Sequence, residues 1–245
     1  MSLSATLLGT GVGIPQIGRS QSGLLIEGDS LLLLDCGAGT LNRLSEAGKS
    51  PLDINTVFLS HLHLDHVSDL LALAKARYLM GTSWLSLYGP KDSASWLKAL
   101  QAIYPYLAEM VISVHELEAG DHLDLGEYSI KTARAVHSVP ALAYSISTES
   151  RAIVYSGDTE PCPEVAELAR GADLLIHECS FPEGMQVSNH TTPRKLGEMV
   201  KEVDRIVLTH LYPLAKGREA EMARLVADLA QTRTEVGRDL MRIAL

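Results

Sequence analysis

Histidine and aspartate side chains are concentrated in one short segment, residues 60–66, with the sequence Ser-His-Leu-His-Leu-Asp-His. In an extended chain residues i and i+2 point to the same side, so His61 and His63 can bind one metal ion. Asp65 and His66 follow where the chain turns into a predicted helix, and they face a second position a few ångströms away. This density of metal-binding side chains predicts a site for two metal ions.

Three further residues of metal-binding type directly follow predicted strands: His137, Asp158 and His210. Loops converge at the carboxyl ends of strands, so these side chains can join the first group. Asp158 has two carboxylate oxygens and is the natural bridge between cations roughly 3.5–4 Å apart. A set of imidazoles and carboxylates suits Zn²⁺, accepts Mn²⁺ or Fe, and differs from the thiolates of closed structural zinc sites.

The His-x-His-x-Asp-His segment and the order of the later ligands resemble the metallo-β-lactamase superfamily, and within it the ribonuclease Z branch. Five other segments are similar to motifs of that branch: LGTG at 8–11, DCGxGT at 35–40, HxxPxxGY at 137–144 with Ala143 in place of Gly, HEAT at 177–180 and HST at 190–192. The resemblance implies that one ion binds His61, His63 and His137. It implies that a second ion binds Asp65, His66 and His210, and that both ions share Asp158.

Several residues are predicted to act beside the metal ions. Asp65 can accept a hydrogen bond from the attacking water and orient it. By resemblance, His190 donates a proton to the departing alkoxide, although it could also be a polar loop residue before a helix. Glu178 would hold His190 in the required tautomer. Asp35 would either hydrogen-bond a ligand histidine or satisfy backbone N–H groups of its own turn. His177 could be a half-buried strand residue, and we assign it no role.

Two cations lower the pKa of bound water toward 7 and neutralise charge on a phosphoryl or acyl oxygen. We therefore predict a dinuclear hydrolase that cleaves phosphodiester bonds with a metal-bound hydroxide. Hydrolysis of another ester, a lactone or an aryl sulfate, is the alternative within the same fold, and a metal-stabilised interaction module without catalysis is the alternative outside the enzymes.

Two departures from the ribonuclease Z pattern bear on the substrate. Only twenty residues separate His137 from Asp158, where ribonuclease Z inserts its tRNA-gripping arm, and Leu-Tyr-Pro-Leu-Ala at 211–215 replaces FSxRY and its substrate-contacting Arg. We expect a small or cyclic phosphodiester, with an RNA 3′ end as the other candidate. Arg194 and Lys195 could receive a substrate phosphate or simply mark an exposed helix start, and a homodimer, common in the resembled family, could supply a basic surface.

Composition narrows the class of protein. The 245 residues have a formal net charge of −9 and contain 5% aromatic residues, which disfavours polyanion binding and base stacking as the organising principle. The uncharged N-terminal residues 1–18 lack a basic region and are broken by glycines, so we expect neither a signal peptide nor a membrane span. Three widely spaced cysteines indicate a reducing cytoplasm.

Predicted strands and helices alternate along the chain and must position these residues, and no linker or repeat divides the sequence. Predicted strands cover residues 5–8, 23–27, 31–35, 56–60, 84–88, 111–115, 122–125, 128–136, 143–147, 152–156, 174–177, 205–209 and 239–244. Predicted helices cover residues 41–47, 67–80, 93–107, 164–169, 194–203 and 218–230. Each half supplies its own strands, which predicts an α/β fold: one domain over residues 1–245, an αββα sandwich of two mixed sheets with helices on the outer faces.

Overall fold

The computed structural model describes residues 3–245 and contains two mixed sheets of seven strands each. The first sheet has the order β14 (Met241–Ala244), β1 (Ser4–Gly9), β2 (Gly23–Glu27), β3 (Leu31–Leu34), β4 (Thr56–Phe58), β5 (Trp84–Pro90) and β6 (Val111–Leu117). The second has the order β13 (Arg233–Val236), β12 (Arg205–Thr209), β11 (Leu174–Glu178), β10 (Ala152–Tyr155), β9 (Leu142–Ser147), β8 (Tyr128–Arg134) and β7 (His122–Leu125).

Helices cover the outer faces of the sheets. They are α1 (Thr40–Glu46), α2 (Leu64–Val67), α3 (Leu70–Leu79), α4 (Ser93–Ile103), α5 (Pro163–Ala169), α6 (Pro193–Met199) and α7 (Glu219–Ala230), with 3₁₀ turns at Pro51–Asp53, Pro105–Glu109 and Pro213–Ala215. No helix within the described range 3–245 is long and apolar enough to cross a membrane.

The core between the sheets follows from the two-residue period of the strands. Leu24 and Ile26 of β2 face the inside of the sandwich, where they share one cluster with Tyr144 of β9 and Ile176 of β11. Leu25, on the opposite face of β2, packs instead in a second cluster beneath the outer helices. The predicted αββα sandwich is therefore confirmed. The assignment of residues 1–245 to one domain stays a prediction, and residues 1 and 2 lie outside the described range.

Predicted strands agree with the structure to within two residues at each end, but one strand was missed. That strand, β13, has the polar sequence Arg-Thr-Glu-Val and forms an exposed edge of the second sheet, so it carries no apolar signal. The predicted helix 67–80 is wrong as a single element, because the chain breaks before α3. Asp69 at the break accepts hydrogen bonds from the backbone N–H groups of Gly39 (2.9 Å) and Leu41 (3.1 Å) and so caps α1.

Two further helices end earlier than predicted. The helix predicted over 93–107 ends at Ile103, since Pro105 cannot continue it and a 3₁₀ turn follows. The helix predicted over 194–203 ends at Met199, and Val200 already has extended backbone angles. Neither change alters the elements that carry the predicted site.

Candidate metal centre

The seven predicted ligands lie together where the carboxyl ends of strands from both sheets meet. Four overlapping groups have ligand atoms within 4.8 Å of one another: His61–His63–His137, His61–His66–Asp158, Asp65–His66–His210 and Asp158–His190–His210. The first and third groups are the two triads that the family resemblance implies for separate ions. The structure therefore places every predicted ligand in one cluster, and their assignment to ions stays a prediction.

Asp158 is the centre of this cluster. Its Oδ1 lies 3.5 Å from His66 Nε2, and its Oδ2 lies 3.3 Å from His210 Nε2, 3.9 Å from His61 Nε2 and 4.0 Å from His137 Nε2. Two buried atoms of the cluster, His61 Nε2 and Asp158 Oδ1, have no hydrogen-bond partner. Buried polar atoms without a hydrogen-bond partner are costly unless a cation binds their lone pairs, so these side chains fit divalent metal ions.

The backbone around residue 66 explains how the ligand segment is held. His63 has extended backbone angles and precedes α2, and the N–H of His66 donates to the carbonyl oxygen of His63 (3.0 Å). The carbonyl of His66 in turn accepts from the N–H of Cys36 (2.7 Å). Gly37 is required beside it, because a Cβ there would lie 2.0 Å from the carbonyl oxygen of Asp65.

Asp35 holds the ligand segment in place through hydrogen bonds to both of its carboxylate oxygens. Its Oδ1 accepts from the N–H of Ser60 (2.7 Å), and its Oδ2 accepts from Ser60 Oγ (2.8 Å), Tyr155 Oη (2.7 Å) and His66 Nδ1 (2.7 Å). Asp35 and His66 are both fully buried. The sequence left two roles open for Asp35, and the structure shows its contact with the ligand His66. This hydrogen bond to Nδ1 directs the Nε2 atom of His66 into the cluster.

Electrostatics favour the ligand forms of these side chains. Burial lowers the pKa of His61, His63 and His137, which keeps their imidazoles neutral with a lone pair available. Burial opposes ionisation of Asp158, but His210 and His66 outweigh it and hold the Asp158 pKa well below its ordinary value. A metal ion would meet three neutral rings beside an ionised carboxylate. At His66 it would displace a proton, because Asp158 and Asp35 outweigh burial and raise the pKa of that ring well above its ordinary value.

His190 lies at the rim of the cluster, and Glu178 lies directly behind it. The Nδ1 atom of His190 is 3.1 Å from Glu178 Oε1, which also accepts from the N–H groups of Thr159 and Thr191. Burial alone would lower the pKa of His190, but the hydrogen bond and charge of Glu178, with the charge of Asp158, raise it. His190 is therefore disposed to carry a proton near neutral pH, and its Nε2 atom lies beside the hydroxyl of Tyr212.

The sequence did not single out two residues that complete this rim. Ser180 Oγ donates to Glu178 Oε2 (2.7 Å) and lies 3.0 Å from His210 Nδ1. Tyr212 Oη lies 3.5 Å from His190 Nε2. Ser180 occupies the last position of the HEAT-like segment, so its place in that motif was the available signal. Tyr212 was considered only as part of residues 211–215, which stand where the resembled family has FSxRY and its arginine.

Other residues considered from the sequence lie outside the cluster. Arg194 pairs with Glu183 and Glu198, so the structure favours the exposed helix start over a phosphate contact. His122 is exposed on the edge strand β7. His177 is fully buried rather than half-buried, and its Nδ1 lies 2.7 Å from the carbonyl oxygen of Glu178.

The fold and site define a metal-dependent hydrolase of the metallo-β-lactamase superfamily with the features of its ribonuclease Z branch. The chain belongs to the family described as anti-Pycsar protein Apyc1, whose sequence profile matches residues 3–231.

Individual proteins agree with this classification. A ribonuclease Z from Methanothermobacter thermautotrophicus is 28% identical over 300 residues, covering 98% of this chain and 96% of the relative. The metallo-β-lactamase fold protein YhfI from Bacillus subtilis superposes with a TM-score of 0.88 at 23% identity and covers both chains completely. The short form of human tRNase Z superposes with a TM-score of 0.79 at 22% identity over 98% of each chain.

Proposed function

We propose that this protein is a dinuclear phosphodiesterase that hydrolyses small or cyclic phosphodiesters, with Zn²⁺ as its preferred metal. The observation that carries the proposal is the convergence of two ligand triads on Asp158 beside the His190–Glu178 pair. Two divalent ions bound there would supply hydroxide at neutral pH and neutralise charge on the phosphoryl oxygens. Histidines and aspartates without a thiolate are the ligands that suit this chemistry.

The residues of the chain divide the remaining work. His61, His63 and His137 would hold one ion, and Asp65, His66 and His210 the other, with Asp158 shared. Asp65, whose pKa is lowered to about 2 because its hydrogen bond to His210 and the charge of His66 outweigh burial, stays ionised and can accept a hydrogen bond from the attacking water.

The proton needed by the leaving group would come from His190. As the water oxygen forms its bond to phosphorus, the bond from phosphorus to the leaving oxygen breaks, and that oxygen takes the proton from His190 Nε2. Glu178 stabilises the charged imidazole through Nδ1 and fixes the direction of Nε2. No charge accumulates on the alkoxide.

Three observations support a small substrate over tRNA. Between His137 and Asp158 the chain forms only the antiparallel pair β9–β10 and short loops, which gives no room for an arm. The alignment with ribonuclease Z runs over 300 positions, longer than this 245-residue chain, so that relative has segments that this chain lacks. Arg194 already pairs with the carboxylates of Glu183 and Glu198, and a net charge of −9 repels polyanions.

The test compares substrates on protein of measured metal content. We expect turnover of bis(p-nitrophenyl) phosphate and of a cyclic nucleotide, and weak cleavage of precursor tRNA that falls further with salt because its few contacts are electrostatic. Efficient 3′-end processing at physiological salt would refute the small-substrate proposal. Preferential hydrolysis of lactones or aryl sulfates would favour the alternative ester class.

Two accompanying expectations are part of this proposal. A homodimer, if it forms, could add a basic surface, and sedimentation in the presence and absence of RNA would measure it. A cytoplasmic location is supported by the three cysteines, which are buried and unpaired.

A further inference from the structure

We propose that Glu160 is a positioning residue that holds Asn189, and that Asn189 in turn orients His137 and places His190. The inference rests on the proposed function and concerns how the same site is assembled. Glu160 Oε1 accepts a hydrogen bond from the N–H of Asn189 (2.7 Å). Among the described residues, Glu160 belongs to none of the four groups of converging ligand atoms, so it acts on the site through Asn189.

Asn189 connects a predicted metal ligand to the predicted proton donor. Its carbonyl oxygen lies 2.9 Å from Nδ1 of His137, which must therefore donate there. The lone pair of the His137 ring is then on Nε2, the atom that lies 4.0 Å from Asp158 Oδ2. The next residue of the chain is His190. A shift of Asn189 would therefore move a ligand ring and the proton donor together.

The backbone of Asn189 is in a conformation that must be held. Its φ is +63°, in the left-handed region, which asparagine tolerates better than most residues but does not prefer. Both peptide groups that flank its Cα are hydrogen-bonded, the preceding one through its N–H to Glu160 and the following one through its carbonyl to His137. Because the planes of both peptide groups are fixed, φ and ψ of Asn189 are fixed as well.

The chain that leads into Asn189 cannot supply this restraint. Residues 182–188 contain no helix or strand, and three successive residues of that segment, 184–186, are exposed to solvent. A segment of this kind gains little by packing and does not hold a strained residue in place. The hydrogen bond to Glu160 therefore restrains the N-terminal side of Asn189.

Glu160 can hold Asn189 because its own backbone is fixed on two sides. The N–H of Glu160 donates to the carbonyl oxygen of Val136 (2.8 Å), and the N–H of Val136 donates to Thr159 Oγ1 (3.0 Å). On the other side, Thr191 Oγ1 donates to the carbonyl oxygen of Thr159 (2.8 Å). The loop after β10 is thus joined to the segment after β8 and to the segment before α6.

Removing the acceptor should weaken metal binding and slow turnover. Loss of a group that orients a ligand histidine costs about 10- to 100-fold in metal affinity, and we expect Glu160→Ala to show that loss for one of the two ions. At saturating metal, kcat on a diester with an alkoxide leaving group should fall by about 10- to 100-fold, with KM within about 3-fold, because His190 is displaced. A nitrophenyl diester, whose leaving group needs less protonation, should lose less.

The experiment measures metal affinity by competition with a fluorescent chelator, and kcat and KM on both diesters. Glu160→Gln keeps the acceptor oxygen and should stay within about 3-fold of the wild type in every quantity. Asn189→Gly, which adopts a positive φ without strain, should also stay close to the wild type, whereas the β-branched Asn189→Val should behave like Glu160→Ala.

Glu127→Ala is the matched control for Glu160→Ala. Glu127 Oε1 accepts from the N–H of Ser30 (2.8 Å), the same kind of bond, at the amino end of β3 and therefore at the end of that strand opposite to Asp35. Its loss removes one carboxylate and one hydrogen bond but should leave metal affinity and the ratio of the two kcat values unchanged.

The outcomes separate this inference from the proposed function. A Glu160→Ala protein that binds both ions as tightly as the wild type would overturn the positioning role, even if its Tm were lower. Glu160→Gln as impaired as Glu160→Ala would also overturn it, since the charge rather than the acceptor would then be responsible. If the wild-type protein hydrolysed no diester, the proposed function would fail, and the metal titration would still decide whether Glu160 orients His137.

Discussion

Replacing Asp35 by Asn should weaken metal binding although Asp35 is not a predicted ligand. The carboxylate accepts four hydrogen bonds, three of them on Oδ2, from His66, Ser60 and Tyr155. If the amide oxygen of the substituted side chain keeps the Ser60 N–H, its NH₂ group faces those three donors. His66 must then accept at Nδ1 and carry its proton on Nε2, the atom that points into the cluster.

The magnitude has two parts. Loss of the carboxylate that orients a ligand histidine costs about 10- to 100-fold in metal affinity. Loss of charge-assisted hydrogen bonds in a fully buried site should lower the free energy of unfolding by about 3–5 kcal/mol. For a chain of this length that is a fall in Tm of about 6–20 °C.

The assay is a metal titration against a competing fluorescent chelator, with thermal unfolding measured on the same samples. Tyr155→Phe removes a different donor from Oδ2 and leaves the His66 tautomer unchanged, so it should lower Tm with less than about 3-fold loss of metal affinity. Asp29→Asn, on an exposed turn, is the surface control. An Asp35→Asn protein that binds two ions as tightly as the wild type would refute the tautomer argument.

Three further predictions test other parts of the site. Asp158→Ala should deplete both ions and lower Tm, because binding free energy is lost with the shared ligand; elemental analysis that finds one ion fully retained would contradict the bridging role. His190→Ala should keep its metal and slow turnover by about 10²- to 10⁴-fold on diesters with alkoxide leaving groups, but less on nitrophenyl diesters; equal losses would show that His190 packs rather than donates. Metal-free protein should be most stable near about pH 6.5, as thermal unfolding across a pH series would show. The pKa values of three buried rings are lowered, so the unfolded chain binds more protons and stability falls as the pH drops below about 6.5; these rings are His61, His63 and His137. The pKa values of His66 and His190 are raised, so the stability from their protonation is lost as the pH rises through those values. A Tm that climbs steadily to pH 9 would contradict this prediction.

The ligand cluster was predictable because its information is local. Side chains at i and i+2 of an extended segment share a side, so His61 and His63 were paired by spacing alone, and the structure places them in one group with His137. The later ligands were predictable because each follows an apolar run long enough to identify a strand, and carboxyl ends of strands meet at an edge. The polar strand β13 had no such run and was missed.

Contacts between residues far apart in the sequence were decided by the tertiary structure. Asp35 lies 120 residues from Tyr155, and no periodicity could show that the two side chains meet beneath His66. The same applies to Phe181 and Tyr212, which come together because β11 and β12 are parallel neighbours and release their following loops at the same edge.

The sequence by itself determined the αββα architecture, the elements that carry the ligands and the class of chemistry, because hydrophobic periodicity and ligand spacing are properties of single segments. Only the tertiary structure decided which hydrogen bonds orient the ligand rings, which carboxylates pair with Arg194 and which aromatic rings border the site. Those features depend on the packing of segments that the chain separates, and the free energy that selects one arrangement comes from burying all of them together.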